Sequence, residues 1–158
     1  MLIPSGKPYL RSEAPIASGL DRVEMCARAL DDLPDSLQEK VVLLDIEVQR
    51  AGSTYAIETI NQLRPFYPRD EFTLILGSDA AANFDNWYRA DALKKVVEIL
   101  VIRRPGEVKS NFPEVNIDAL DISATQVRSA IKSGLELNKY LSPSVLSYIN
   151  ERELYERK

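Results

Sequence analysis

Residues 72–79 read FTLILGSD, and this stretch decides the fold class. Residues 72–76 form a short, continuous apolar run, which is typical of a strand buried on both faces of a parallel sheet. Gly77 ends the run, and Ser78 and Asp79 are expected to open a short helix directly after it. A buried strand that leads straight into a helix is the repeating unit of α/β proteins.

The same alternation of strand and helix extends along the chain in both directions. Further strands are expected at residues 41–48 (VVLLDIEV), 99–102 (ILVI) and 120–122, and residues 2–3 are expected to be the tail of another. Helical segments fall between them, with caps or apolar residues three and four apart. They are expected after Ser18 (apolar face Leu20, Val23, Ala27, Leu30), after Thr54 (Ile57, Ile60, Leu63), at residues 90–95, after Ser123 and after Ser142-Pro143. The pattern predicts one α/β domain over residues 1–158, with a parallel sheet covered by helices on both faces.

The composition excludes several classes of function. The 158 residues contain no histidine, so serine–histidine and cysteine–histidine catalysis and histidine-bound metals are excluded. The net charge of −4 argues against a general nucleic-acid or membrane-surface binder, and no apolar run approaches the ~20 residues of a membrane span. Cys26 is the single cysteine, which excludes an intramolecular disulfide and favours a cytoplasmic protein.

Ligands of parallel α/β sheets bind beyond the carboxyl ends of the strands. Glycines, small hydroxyl residues and arginines follow the expected strands, at residues 4–6, 52–55, 77–79, 103–106 and 123–125. Backbone N–H groups at helix N-termini and guanidinium groups are what proteins use to hold phosphates. The sequence therefore predicts a phosphate-binding edge, although Arg103 and Arg104 are also compatible with a solvated strand end.

Three motifs each allow a functional and a purely structural interpretation. Ser123, Thr125 and Arg128 are compatible with an anion site at a helix N-terminus, or with a capped helix and a solvated arginine. Asp79 could bind a ribose hydroxyl or a nucleotide amine, or cap the helix that follows it. Residues 87–88 (WY) could stack on a flat heteroaromatic ring, or serve as packing alone.

Taken in order and spacing, these motifs resemble those of the bacterial nicotinate-nucleotide adenylyltransferases. The resemblance runs from Leu2 to Tyr155. It rests on IPSGKP (3–8), DIEVQRAGSTYAI (45–57), LILGSD (74–79), WY (87–88), RRPG (103–106), ISATQVR (122–128), YLSP (140–143) and YI (148–149). It implies a Rossmann-like nucleotidyltransferase fold. It also implies transfer of AMP from ATP to nicotinate mononucleotide, giving deamido-NAD and pyrophosphate, with Mg²⁺ carried by ATP.

The resemblance also assigns residues to the two substrates. Those expected to bind ATP are Gly77, Asp79, Arg104, Ser123, Thr125 and Arg128. Those expected to bind nicotinate mononucleotide are Arg11, Tyr55, Ala56, Trp87 and Tyr88. Ala56 replaces the usual threonine of the family, which bears on selectivity for the acid over the amide substrate. No catalytic side chain and no protein ligand to a metal is expected.

One departure from the family concerns histidine. The family begins with a strand, a glycine-rich turn and an H-x-G-H motif, and this sequence has no histidine. The expectation is an N-terminally truncated chain that lacks the first strand and helix and is inactive on its own. Two alternatives stay open: a sister adenylyltransferase acting on another phosphate, and a non-catalytic nucleotide-binding remnant. ATP and nicotinate mononucleotide are the expected partners, without nucleic acid or membrane, and a homo-oligomer is left open.

Overall fold

The computed structural model describes residues 1–10, 13–103, 111–117 and 122–155, which fall into two compact units. The first unit comprises Met1–Thr54 and Ile122–Lys158, and the second comprises Tyr55–Asp121. The first contains helices α1 (Gly19–Asp31), α2 (Asp35–Gln38), α6 (Ala124–Lys132) and α7 (Pro143–Glu151). The second contains α3 (Ala56–Leu63), β1 (Thr73–Gly77), α4 (Ser78–Ala82), a 3₁₀ turn (Phe84–Asn86), α5 (Ala90–Lys94), β2 (Glu98–Arg103) and β3 (Glu114–Asn116).

The second unit is built on a parallel sheet, as the alternation of strands and helices predicts. Its strand order is β1-β2-β3, and both pairs are parallel. The central strand β2 is the most buried, with Val101 fully buried and Ile99 at 7% exposure. Helix α3 packs into the same core through Ile57 and Ile60, two residues of its predicted apolar face. The α/β fold class is therefore confirmed.

The expectation that the first of these strands is buried on both faces is wrong. Leu76 on β1 is 8% exposed, whereas Ile75 is 59% exposed and Thr73 is also exposed. Successive side chains of a strand point to opposite faces, so Leu74 and Leu76 share the face that meets the core and Thr73 and Ile75 share the other. A continuous apolar run therefore does not by itself require two covered faces.

The strand predicted at residues 41–48 is reduced to one bridge in the first unit. Leu2 and Leu43 form an isolated parallel bridge, in which Leu2 N donates to Val42 O and Leu44 N donates to Leu2 O. The next donor along this ladder would be the N–H of residue 4, and Pro4 has none, so the ladder stops. Beyond it, the N–H groups of Val48 and Gln49 both donate to Asp45 O and form a turn.

Strand β3 was not predicted, and most of the strand expected at residues 120–122 lies outside the described residues. Strand β3 (Glu114–Asn116) is short, mostly polar and largely exposed, so its sequence has no alternation of apolar and polar residues that would predict a strand. Residues 118–121 lie outside the described part of the chain, and Ile122 belongs to no strand.

Helices α1 and α7 pack on each other in the first unit. The predicted cap of α1 is confirmed, because Ser18 forms a capping box with Asp21. Asp21 is 8% exposed, and Tyr148 of α7 donates to its carboxylate at 2.9 Å. Leu20 was expected on the apolar face, yet it is 67% exposed. Over the described residues, no helix has the length and apolar character needed to cross a membrane.

Candidate functional site

The N-terminus of α6 carries the sharpest of the predicted motifs. Ser123 caps the helix: its Oγ accepts from Gln126 N at 3.2 Å, and the Gln126 side chain accepts from Ser123 N at 2.6 Å. One turn further, Arg128 Nη2 donates to Thr125 Oγ1 at 3.3 Å. The predicted helix cap is thus observed, whereas Arg128 is half-buried rather than fully solvated. The first-turn N–H groups and the neighbouring guanidinium remain the kind of group that attracts an anion.

A cavity of about 350 Å³ lies beside Arg128 in the first unit. Its lining includes Leu10, Glu13, Arg22 and Tyr155. Arg22, on α1, donates through Nη1 to the carbonyl of Ser5 and through Nη2 to that of Gly6, the second at 3.0 Å. Sequence reasoning did not single out Arg22 or Tyr155, because only the tertiary fold places them beside Arg128.

Burial raises the pKa of the Tyr155 hydroxyl in this cavity, and the positive charges of Arg128 and Arg22 act in the opposite direction. Both guanidinium groups are therefore close enough to influence the same phenol. Their side chains are half-buried, so solvent screens them less than it screens charges on the open surface.

Gly77, Ser78 and Asp79 follow β1 in the second unit, as predicted. Asp79 Oδ1 accepts from Ala80 N at 2.9 Å, so the exposed carboxylate satisfies an N–H in the first turn of the short helix α4, whose N-cap is Gly77 rather than Asp79. Ser78 is 5% exposed, and its hydroxyl donates to Ile102 O at 3.4 Å, which ties the end of β1 to β2. A β-carbon on Gly77 would lie 2.8 Å from Asp79 Oδ1, so glycine gives the carboxylate its room.

Two tyrosines of the second unit, the half-buried Tyr55 and the exposed Tyr88, form an aromatic pair. The rings of Tyr55 and Tyr88 are 4.2 Å apart between centroids, tilted by 35°, and Tyr88 is 46% exposed. Ala56 begins α3 directly after Tyr55. Trp87 is half-buried and stacks on the fully buried Phe84, with centroids 5.2 Å apart. Tyr88 therefore presents its ring to solvent, whereas Trp87 packs against the core.

The remaining site predictions fall outside the described residues or in separate units. Arg11 and Arg104 lie outside the described residues. Ser123, Thr125 and Arg128 belong to the first unit; Gly77, Asp79, Tyr55, Ala56, Trp87 and Tyr88 belong to the second. Cys26 is a half-buried free thiol whose pKa is raised by burial, which makes it a poor nucleophile. In the parts of the chain that the structure covers, no three acidic, cysteine or histidine side chains cluster as metal ligands would.

Comparison with known proteins identifies the family. The family model described as cytidylyltransferase-like matches residues 1–130, which places the chain in that class. The probable nicotinate-nucleotide adenylyltransferase of Shouchella clausii is 31% identical over 97% of this chain and 79% of its own. The probable nicotinate-nucleotide adenylyltransferase of Desulfitobacterium hafniense strain DCB-2 is 31% identical over 98% of this chain and 80% of its own. The chain therefore belongs to the cytidylyltransferase-like family and, within it, to the nicotinate-nucleotide adenylyltransferases.

Solved structures agree on the fold. The nicotinic acid mononucleotide adenylyltransferase of Plasmodium falciparum complexed with NaAD gives a TM-score of 0.77 at 20% identity, over 92% of this chain and 78% of that one. The same enzyme complexed with APC gives a TM-score of 0.72 at 20% identity, over 86% of this chain and 75% of that one. The predicted Rossmann-like nucleotidyltransferase fold is thereby confirmed.

Proposed function

We propose that this chain transfers AMP from ATP to nicotinate mononucleotide, forming deamido-NAD and pyrophosphate in NAD biosynthesis. The observation that carries the proposal is its identity of 31% over 97% of the chain with a nicotinate-nucleotide adenylyltransferase. The capped N-terminus of α6 supports it, because free N–H groups beside Arg128 suit a phosphate.

In the proposed reaction, a phosphate oxygen of nicotinate mononucleotide attacks the α-phosphorus of ATP. One P–O bond forms, the bond between the α-phosphorus and the bridging oxygen breaks, and pyrophosphate leaves with the electron pair. Catalysis of this kind depends on positioning and on stabilising charge in the transition state, rather than on a strong base. Adenylyl transfer from ATP generally uses Mg²⁺, and we propose that ATP itself brings the ion on its phosphates.

The site residues keep the roles that the resemblance assigns, as parts of the same proposal. Ser123, Thr125 and Arg128 hold the ATP phosphates through a helix N-terminus and a guanidinium. Tyr55 and Tyr88 flank the nicotinate ring, and the N–H of Ala56 meets its carboxylate. The remaining assignments are Gly77, Asp79 and Arg104 for ATP, and Arg11 and Trp87 for nicotinate mononucleotide. The chain acts as a single nucleotidyltransferase domain in the cytoplasm, for which its free thiol is suited.

One observation favours a second candidate function, a nucleotide-binding protein without turnover. The sequence contains no histidine, and the family that it resembles uses the H-x-G-H histidines to stabilise the ATP phosphates. Loss of one such donor commonly lowers turnover by about 10²–10³-fold. Relative to a typical turnover of about 10 s⁻¹, we expect this chain to be slower by at least that factor.

The test is a single-turnover assay with protein in excess over α-labelled ATP, run in parallel with nicotinate mononucleotide and nicotinamide mononucleotide. The expected result is slow formation of labelled dinucleotide, faster with the acid than with the amide. Trp87 emission, followed on titration of each mononucleotide, reports binding without turnover. Binding of both substrates without product would support the second candidate. Absence of product together with absence of mononucleotide binding would overturn both.

A further inference from the structure

One cavity of the first unit is lined by two positively charged side chains and one negatively charged side chain, Glu13. Arg22 and Arg128 both line the 350 Å³ cavity. Among the described residues, neither guanidinium pairs with a carboxylate. The hydrogen bonds of Arg22 go to two backbone carbonyls and that of Arg128 goes to the Thr125 hydroxyl, so neither charge is neutralised by a direct ion pair within the described residues. Like charges that face the same half-buried space repel one another, and an anion between them would remove the repulsion.

A neutral donor completes the arrangement. Tyr155 lines the same cavity, and its phenol is influenced by the positive charges of Arg128 and Arg22 and by the negative charge of Asp21. Glu13 also lines the cavity, but it is exposed, so solvent screens its negative charge more strongly. The cavity thus combines two guanidinium groups and a phenol, in a chain whose net charge is −4.

We propose that this cavity is a phosphate-binding site in which Arg22 and Tyr155 act together with Arg128. The inference rests on the proposed function, since both substrates of that reaction carry phosphate. Two positive charges match the double negative charge of a phosphate group, and planar guanidinium groups bind phosphate oxygens with directed hydrogen bonds. The volume lies within the range of small-molecule sites.

Arg22 has a second part in this site, which is to fix the backbone of its wall. By donating to Ser5 and Gly6 it joins α1 to the loop after the Leu2–Leu43 bridge. That loop packs closely against the backbone of Glu47, because a β-carbon on Gly6 would lie 2.0 Å from Glu47 O. The guanidinium is therefore held in place before the anion arrives, which reduces the entropy lost on binding.

The test measures binding of inorganic tripolyphosphate to the whole chain by calorimetric titration at low ionic strength. Arg128→Gln and Arg22→Gln are each expected to weaken binding at least tenfold, which is the effect of losing a charge-assisted hydrogen bond. Tyr155→Phe is expected to weaken it about threefold to tenfold. Lys132→Gln removes one charge from the same helix as Arg128, outside the cavity lining, and should change the affinity by less than about twofold.

The outcomes separate this inference from the proposed function. Wild-type protein that does not bind tripolyphosphate, or cavity variants that match Lys132→Gln, would overturn the inference. Malonate is a dianion without phosphorus. If it binds as tightly as tripolyphosphate, phosphate is not the ligand class of this site. If Arg22→Gln fails to fold, Arg128→Gln and Tyr155→Phe decide the question. Displacement by ATP or by nicotinate mononucleotide identifies which substrate's phosphate occupies the site. If ATP and nicotinate mononucleotide together give no product while tripolyphosphate still binds, only the proposed function is contradicted.

Discussion

Replacement of Tyr148 by phenylalanine removes one hydroxyl that joins α7 to α1. In the folded chain this hydroxyl donates to Asp21 Oδ1 at 2.9 Å. The same oxygen lies 3.5 Å from Arg152 Nη2, and the other carboxylate oxygen, Oδ2, accepts from the hydroxyl and the N–H of Ser18 at 2.6 and 3.2 Å. The substitution therefore deletes one of several donors to a buried carboxylate, and the others remain.

The expected loss follows from this environment. A hydrogen bond to a charged group contributes about 1.5–3 kcal/mol to stability. Because Ser18 and Arg152 still contact Asp21, the carboxylate is not left unsatisfied, and the cost should lie near the lower limit, about 1.5 kcal/mol. For a chain of this length, each kcal/mol lowers the melting temperature by about 2–4 °C, so Tyr148→Phe should melt about 3–6 °C below the wild type.

The pH dependence of this contact follows from two pKa shifts. Hydrogen bonds from Ser18 and Tyr148 lower the pKa of Asp21. The stability that Asp21 contributes is therefore complete above its ordinary value of about 3.9, and is lost as the pH falls through the lower folded value. Burial, together with the bond to Asp21, raises the pKa of Tyr148. Its contribution is complete below about 10 and is lost as the pH rises through the higher folded value.

The assay is thermal unfolding followed by circular dichroism at pH 7, for Tyr148→Phe, Asp21→Asn and the double variant. If the two groups interact, the cost of Tyr148→Phe must be smaller in the Asp21→Asn background. Tyr140→Phe is the matched control, because Tyr140 is 43% exposed in the same unit. A cost that is the same in both backgrounds, or a melting temperature within about 1 °C of the wild type, would refute the assigned contact.

Three further predictions concern the site and its support. In binding titrations, Tyr88→Ala should weaken the binding of nicotinate mononucleotide by about 0.5–1.5 kcal/mol, because ring stacking is lost, and should leave ATP binding unchanged. The control variant Tyr140→Ala should change the binding of neither ligand. Gly6→Ala should lower the melting temperature more than Gly52→Ala, because a β-carbon at the first position would meet the backbone oxygen of Glu47 at 2.0 Å. At the second position it would meet nothing within 4 Å, so the cost there is limited to the strain of an alanine at φ +83°. Ser123→Ala should cost about 1 kcal/mol in chemical denaturation and weaken ATP binding; equal denaturation midpoints would contradict the observed cap.

Elements fixed by their own local sequence could be predicted. The spacing of Ile57, Ile60 and Leu63 gave the buried face of α3, and all three are buried. Ser18 and Ser123 could be identified as caps because a cap depends on a side chain and a backbone group only three residues apart. These contacts are local, so the order of residues along the chain contains them.

Features that depend on partners distant in sequence could not be predicted. Residues 41–48 have the composition of a strand, but how far they pair depends on Pro4, which has no N–H for the next bond. β3 has no apolar pattern and exists because it pairs with Val101–Arg103 of β2. Arg22 in the cavity was not predicted for the same reason, since the loop it binds lies 16 and 17 residues away.

The capping box of Ser123 limits which residues could replace it in a functioning relative. Its oxygen accepts from Gln126 N, and no acceptor for its own hydroxyl proton lies among the described residues. One side chain can therefore cap the helix and still donate to an anion. Aspartate caps helices equally well, but it would bring a negative charge to the place where the proposed function requires a phosphate. Selection for stability alone would accept serine, asparagine or aspartate at position 123, whereas selection for ATP binding should exclude aspartate. The residues that are tolerated at this position therefore distinguish the two kinds of selection.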